Sequence, residues 1–168
     1  MLVIEDGSGT NLDANSYASV ETLRIFAKLR GIDLTAMSDD DCSVLLIKAM
    51  DYIEAKASKF QGEKSNPRQP LQWPRRGVRI DGLSIGEKEI PRNLEYGQMQ
   101  LALEAKEHDL MPNTIPGEKG PVIKERVEGA VEVAYANTGA VDKVPAFAKA
   151  EALLAQLYKK NGLFLVRA

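Results

Sequence analysis

Apolar residues in the first half of the chain recur at the three- and four-residue spacing of helices. Val20, Leu23, Phe26, Ala27 and Arg30 fall on one stripe, with Ser19 placed to cap it, Glu21 in its first turn and Gly31 as its stop; this predicts a helix of about three turns. The stretch "SDDDCSVLLIKAMDYIEAKASKF" predicts a second helix, capped by Ser38, with Asp39, Asp40 and Asp41 in its first turn. Ser38 and Asp41 have capping-box spacing. Cys42, Leu45, Leu46, Ala49, Tyr52 and Ile53 form its apolar face. The acidic triplet is read as partner to the helix dipole, because no calcium-loop pattern follows it.

The period then breaks. Residues 61–88 hold three prolines and four glycines and form a long connection, of the kind that is usually functional or flexible. Within it "VRIDGLSI" predicts a hairpin turning at Asp81-Gly82, with a tip that projects from the helical body. A third helix is expected from Pro91, as first helical residue, to Pro112. Its two stripes, Leu94–Leu101–Ala102–Ala105 and Tyr96–Met99–Leu103, predict a central helix buried by several neighbours. Alternation at Val127, Gly129, Val131, Val133 and Tyr135 predicts a second hairpin over about 121–136. A last helix is expected from Pro145, with Phe147, Ala150, Leu153, Leu154, Leu157 and Tyr158 inward, Lys159 and Lys160 at its end and Asn161-Gly162 as cap.

These elements describe one mainly α domain over residues 1–168: a small bundle of about four helices, one or two inserted β-hairpins and extended terminal arms. Residues 1–18 are the N-terminal arm, in which Leu2–Ile4 can form a short edge strand. Residues 161–168 are an apolar C-terminal tail. Leu163, Phe164, Leu165 and Val166 either pack back as a last strand or insert into a neighbouring subunit or partner.

Charge sharpens the picture. The net charge is −2, yet residues 1–58 carry 5 Lys/Arg against 10 Asp/Glu, while 59–79 carry six basic residues against Glu63 alone. Lys59, Lys64, Arg68, Arg75, Arg76 and Arg79 make a basic band across a mildly acidic protein; a band is a local feature of an interface or loop, and the overall acidic balance argues against, but does not exclude, a protein whose whole task is coating nucleic acid. In "QPLQWPRRGVR" the one tryptophan, Trp73, sits inside that band. It can stack on a base, anchor its own loop or fill a partner's pocket. The scarcity of other rings nearby favours the anchor, leaving Arg75, Arg76 and Arg79 to face a neighbour or DNA.

Catalytic chemistry is not legible. One His108 and one Cys42 cannot build a zinc site within a chain, "GSG" lacks phosphate-loop spacing, and no nucleophile elbow occurs. No catalytic residue, metal or cofactor is expected, and no enzyme. Cys42 is read as a buried small residue. No apolar run reaches the length of a membrane span, and "MLVIEDGSGT" does not read as a signal peptide.

The start Ile4–Gly9 with Asp13-Ala14-Asn15-Ser16-Tyr17, then "KAMDYIEA", "LQWPRRGV", "IPRNLEYGQMQLALEA" and "VEGAVEVAY", together resemble a family of small bacteriophage structural proteins. That family often carries the label "putative DnaT-like single-stranded-DNA-binding protein", and it is similar to the head–tail connector (adaptor) proteins of tailed phages. The resemblance spans nearly the whole chain and rests on the order of short motifs. It implies a structural virion protein of the neck: a homo-oligomeric ring of twelve copies under the portal, joining head to tail and extending the DNA channel. The implied partners are the portal protein, with the apolar tail docking on it, the next neck or tail component, and genomic DNA in the channel. The implied locations are the virion and, before assembly, the host cytoplasm. The alternative takes the label literally, as a single-stranded-DNA-binding or replication accessory protein.

Overall fold

In a computed structural model of the chain, the Ser19 hydroxyl accepts the Thr22 N–H at 3.1 Å while Thr22 Oγ1 accepts the Ser19 N–H at 2.9 Å. This reciprocal cap starts α1 (Val20–Lys28). Ser38 and Asp41 form the same device at α2 (Asp39–Glu54), with Asp41 in the role usually taken by glutamate. The structure describes residues 1–112 and 147–159, and the backbone of 122–128 and 130–135. The fold is mainly α, four helices with inserted antiparallel hairpins, and it divides into two compact units, Met1–Leu110 with Phe147–Ala168 and Met111–Ala146.

In the larger unit α1 and α2 are followed by β1 (Glu63–Lys64), β2 (Arg75–Arg76), β3 (Arg79–Ile80), β4 (Leu83–Ser84), α3 (Arg92–Glu104) and α4 (Ala148–Leu154). α3 is the central element: Leu94 and every residue from Gly97 to Leu103 are buried. α4 packs on it so closely that a Cβ on Gly97 would stand 2.6 Å from a Leu154 methyl. Only glycine permits that approach.

Gln98, fully buried in the middle of α3, holds the N-terminal segment in place. Its Oε1 accepts the N–H groups of Tyr17 and Ala18 at 2.9 and 3.1 Å, and its Nε2 donates to Ser16 Oγ and the Leu46 carbonyl at 2.8 and 3.0 Å. All four hydrogen bonds of the amide are made, so its burial is compensated. Residues 1–18 are not an extended arm: they run through bends at Gly7 and Gly9, both with positive φ, and a turn at Leu12-Asp13, and they are stitched to α3 and α2 with Ala14, Tyr17 and Ala18 in the core. Ile4 forms a single parallel bridge with Ser16.

Two helix ends differ from the sequence reading. α3 starts after Pro91, which is its N-cap, and stops at Glu104, well before Pro112. α4 stops at Leu154, and a 3₁₀ turn over Ala155–Leu157 follows it. Tyr158 is extended and bridges Phe60, while the Gln61 N–H takes the Leu157 carbonyl at 2.9 Å. This non-local pairing overrides the continued helix. Pro145, Lys160, Asn161, Gly162 and the tail Leu163–Val166 lie outside the described residues. In the smaller unit β5 (Val122–Glu128) and β6 (Ala130–Tyr135) pair antiparallel from Val122↔Tyr135 to Glu128↔Ala130, with a register shift between Val122 and Lys124. Among the described residues no helix is long and apolar enough to cross a membrane.

Candidate nucleic-acid interface

After α2 the chain makes a 3₁₀ turn over Ala57–Lys59 and enters the basic band. β1 and β2 pair antiparallel, Glu63 opposite Arg76 and Lys64 opposite Arg75, which closes the intervening loop. Gln69 holds that loop from inside: its Nε2 donates to the Leu71 and Pro74 carbonyls, each at 2.9 Å, and its Oε1 accepts the Asn66 N–H. Trp73 is fully buried. Its backbone N–H donates to the Tyr17 hydroxyl at 2.9 Å, and its ring meets Phe60 edge-on at 6.0 Å. Phe60 in turn lies 5.5 Å from the Tyr158 ring.

The six basic residues separate into two kinds. Arg75, at 6% exposure, points inward. Its Nε donates to the Gln61 carbonyl at 2.6 Å, Nη2 to the Gly62 carbonyl at 2.8 Å, and Nη1 to Gln72 O and Oε1 at 3.2 and 3.1 Å. Burial lowers its pKa, an effect partly offset by the charges of Tyr17, Glu54 and Glu63. Its fork joins three backbone carbonyls of its own loop, so an outward-facing Arg75 does not describe this fold. Lys64 is half-buried, with Nζ 3.3 Å from the Gln69 carbonyl and 3.5 Å from that of Pro70.

Lys59, Arg68, Arg76 and Arg79 are exposed. Arg76 pairs with Glu63 at 3.1 Å, both largely in solvent, a pair of small energetic weight. Arg79 opens the β3–β4 hairpin and folds its guanidinium onto the Gly82 carbonyl at 2.7 and 3.2 Å. Asp81 and Gly82 both have positive φ, 50° and 85°, the type I′ geometry that the Asp-Gly pair favours. The stretch from Arg79 to Glu89 is largely exposed, whereas Leu71, Trp73, Pro74, Arg75 and Val78 are buried.

A seventh cation, Lys159, joins the band in space. Its N–H donates to the Lys59 carbonyl at 2.8 Å, and its Nζ reaches the Ser58 carbonyl at 3.1 Å. Gln61 and Gln156 are the joints of this edge. Gln61 Nε2 donates to the Gln156 carbonyl at 2.7 Å, and its Oε1 accepts the Arg79 N–H at 3.3 Å. Gln156 Nε2 reaches Asp81 Oδ1 at 3.4 Å. Lys59, Lys159 and Arg79 thus share one edge. A sequence reading that gives Lys159 to a helix terminus misses it, because the bridge between Phe60 and Tyr158 is non-local.

The edge is held by a polar cluster under α4. Glu151 accepts hydrogen bonds from the Tyr52 and Tyr158 hydroxyls at 2.6 and 3.2 Å and pairs with Lys56 at 2.8 Å. Burial opposes the charge on Glu151, but the hydrogen bonds from Lys56 and Tyr52 outweigh it and lower its pKa. Burial likewise opposes the charge on Lys56 and is outweighed by Glu151 and Tyr52, so its pKa is raised. Burial, followed by the Glu151 charge, raises the Tyr158 pKa.

Among the described residues no aromatic ring is exposed. No group of three or more His, Cys, Asp and Glu side chains there could hold a metal. Cys42 is buried and His108 is on the surface. What this edge offers is rigidly placed positive charge, the chemistry that meets phosphate or carboxylate.

Neither a curated protein nor a solved structure matches the chain. The family described as "Putative DnaT-like ssDNA binding protein" matches it over residues 1–168, and the chain belongs to that family.

Proposed function

We propose that the protein binds single-stranded DNA through its phosphates, with Lys59, Lys159, Arg76 and Arg79 as contacting cations and Arg68 at the outer end of the band. The observation that carries this reading is the meeting of Lys59, Lys159 and Arg79 on one braced edge. The family description names the same ligand. Base stacking, about 1–3 kcal/mol per base where it occurs, has no fully exposed platform among the described residues: Trp73 and Phe60 are packed inside, and Tyr96 and Tyr158 are half-buried. Binding is therefore sequence-independent and strongly salt-dependent. Four phosphate contacts, at about −0.7 each, give a slope of roughly −3 in log K against log salt. Anisotropy of a labelled oligothymidylate, titrated at several salt concentrations, tests this. Absence of binding at low salt, or a flat salt response, would sink it.

Assembly in a bacteriophage neck is a second reading, favoured by exposed apolar residues on regular elements. Ile25 on α1, its C-cap Leu29, Val44 on α2 and Leu83 on β4 are each exposed, and exposed apolar side chains are available for protein contacts. On this reading twelve copies form a ring under the portal, joining head to tail and extending the DNA channel. The portal protein and the next neck or tail component are its partners, the virion its location, and the host cytoplasm its location before assembly. The basic edge then faces genomic DNA or a neighbouring subunit. On both readings the protein acts by binding, without a catalytic step or cofactor. Particle mass in solution, and recovery of the protein from purified virions, separate the two.

A further inference from the structure

Arg30 and Arg92 lie outside the basic band in sequence and come together on one ring. Arg30, just past the C-terminal end of α1, stacks its guanidinium on Phe26, 3.3 Å from the ring centre, and donates Nη1 to the Phe26 carbonyl at 3.1 Å. Phe26 meets Tyr96 of α3 edge-on at 5.2 Å. Arg92, the first residue of α3, lies 4.6 Å from the centre of the Tyr96 ring and donates to its hydroxyl. Arg30 lies 5.7 Å from the same centre.

Both arginines are exposed, whereas Phe26 is buried and Tyr96 half-buried. An aromatic ring takes the face of a guanidinium and leaves its N–H edge free. Each guanidinium has five N–H donors, and each uses one of them within the described residues. Neither forms a salt bridge there. Glu95 stands three residues beyond Arg92, half-buried; burial raises its pKa, and the Arg92 charge only partly opposes that rise. Packing on the chain's own rings holds both forks in place, so little freedom is lost when an anion arrives.

The pair stands at the end of the basic edge. Asn93, next to Arg92, donates Nδ2 to Gln156 Oε1 at 2.9 Å. The same Gln156 side chain reaches Asp81 in the turn on which Arg79 closes. Gln61 ties the Gln156 carbonyl to the edge where Lys59 meets Lys159. Bonded neighbours therefore run without a break from Lys59 and Lys159, past Arg79, to Arg92 and Arg30.

We propose that the single-stranded DNA track continues from Arg79 over Asn93 to Arg92 and Arg30, which take one phosphate each. A carboxylate on a protein partner suits the same forks, but continuity with the edge favours the strand that already lies on it. The inference rests on the proposed single-strand binding and extends it. Two added contacts carry the slope of log K against log salt from roughly −3 to about −4.

Salt titration of a labelled oligothymidylate with the full chain tests it, using Arg30→Ala, Arg92→Ala and the double variant after circular dichroism confirms that they fold. Each single change lowers the slope by about 0.7 and the double change by about 1.4. Arg30→Lys and Arg92→Lys keep the wild-type slope, because lysine carries the same charge. Should R30A fail to fold, R92A against R92K decides the matter. An arginine that only packs on its ring would change stability and leave the slope alone. An unchanged slope in R92A or the double variant, with K59A still lowering it, overturns this inference and leaves the proposed function standing. A wild type with no salt-dependent binding overturns both.

Discussion

Lys159 donates its backbone N–H to the Lys59 carbonyl at 2.8 Å, which sets two lysines from distant parts of the sequence side by side. If phosphate is the ligand, the two act as equals. Lys159→Ala and Lys59→Ala are each expected to weaken oligothymidylate binding and to lower the salt slope by about 0.7, and the double variant by about 1.4. Salt titrations of the three proteins measure this. An unchanged slope in K159A would remove Lys159 from the interface.

Arg75 and Arg76 are adjacent in sequence and opposite in role. Arg75→Ala leaves the carbonyls of Gln61, Gly62 and Gln72 without their donor, a loss of about 1–3 kcal/mol for a buried unsatisfied group. Arg76→Ala gives up an exposed pair with Glu63 and is expected to stay within about 0.5 kcal/mol of wild type. Urea unfolding separates them. Equal stabilities would mean that the inward guanidinium holds nothing.

Trp73 fills space and makes an edge-on contact with Phe60, while its indole N–H has no hydrogen-bond partner among the described residues. Trp73→Ala is expected to cost about 3–5 kcal/mol. Trp73→Phe should cost clearly less, because it keeps an aromatic edge and gives up no hydrogen bond. Denaturant midpoints of both variants check this. A W73F as unstable as W73A would overturn the expectation that an aromatic edge against Phe60 is what Trp73 mainly supplies.

What was legible in the sequence was local. Ser19 and Ser38 announce α1 and α2 because a cap is decided within four residues, and Asp81-Gly82 announces its hairpin because two adjacent positive φ angles are decided there. The central position of α3 was legible from its two apolar stripes. Gln98 was not, since a glutamine within a helix reads as surface until Tyr17, Ser16 and Leu46 arrive from elsewhere to satisfy it. Arg75 reads as one more free cation for the same reason: the carbonyls that capture it are presented by a turn more than ten residues earlier. The end of α4 is set by Tyr158 pairing with Phe60, which no helical period contains.

The Glu151 cluster makes stability depend on pH in a calculable direction. The carboxylate holds Tyr52, Lys56 and Tyr158 at once, and its folded pKa lies below the ordinary 4.5. A depressed carboxylate binds its proton more weakly folded than unfolded, so it contributes stability fully above about pH 4.5 and loses it as pH falls through the folded value. Lys56, with a pKa raised above 10.5, contributes below that value and loses its share only as pH climbs through the folded pKa. Between these limits the cluster is constant, and near neutral pH it should give no slope. Glu151→Gln is expected to lower stability at pH 7 and to flatten the acid limb below pH 4.5, since no carboxylate remains there to protonate. Urea midpoints from pH 3 to 8 for both proteins decide it. An acid limb of unchanged steepness in E151Q would place the acid-sensitive group elsewhere. Because the cluster ties Tyr158 beneath the edge where Lys159 meets Lys59, E151Q should also loosen that edge. The expected sign is faster amide exchange at Lys159 and Gln61, the two N–H groups that close the bridge to the Lys59 and Leu157 carbonyls.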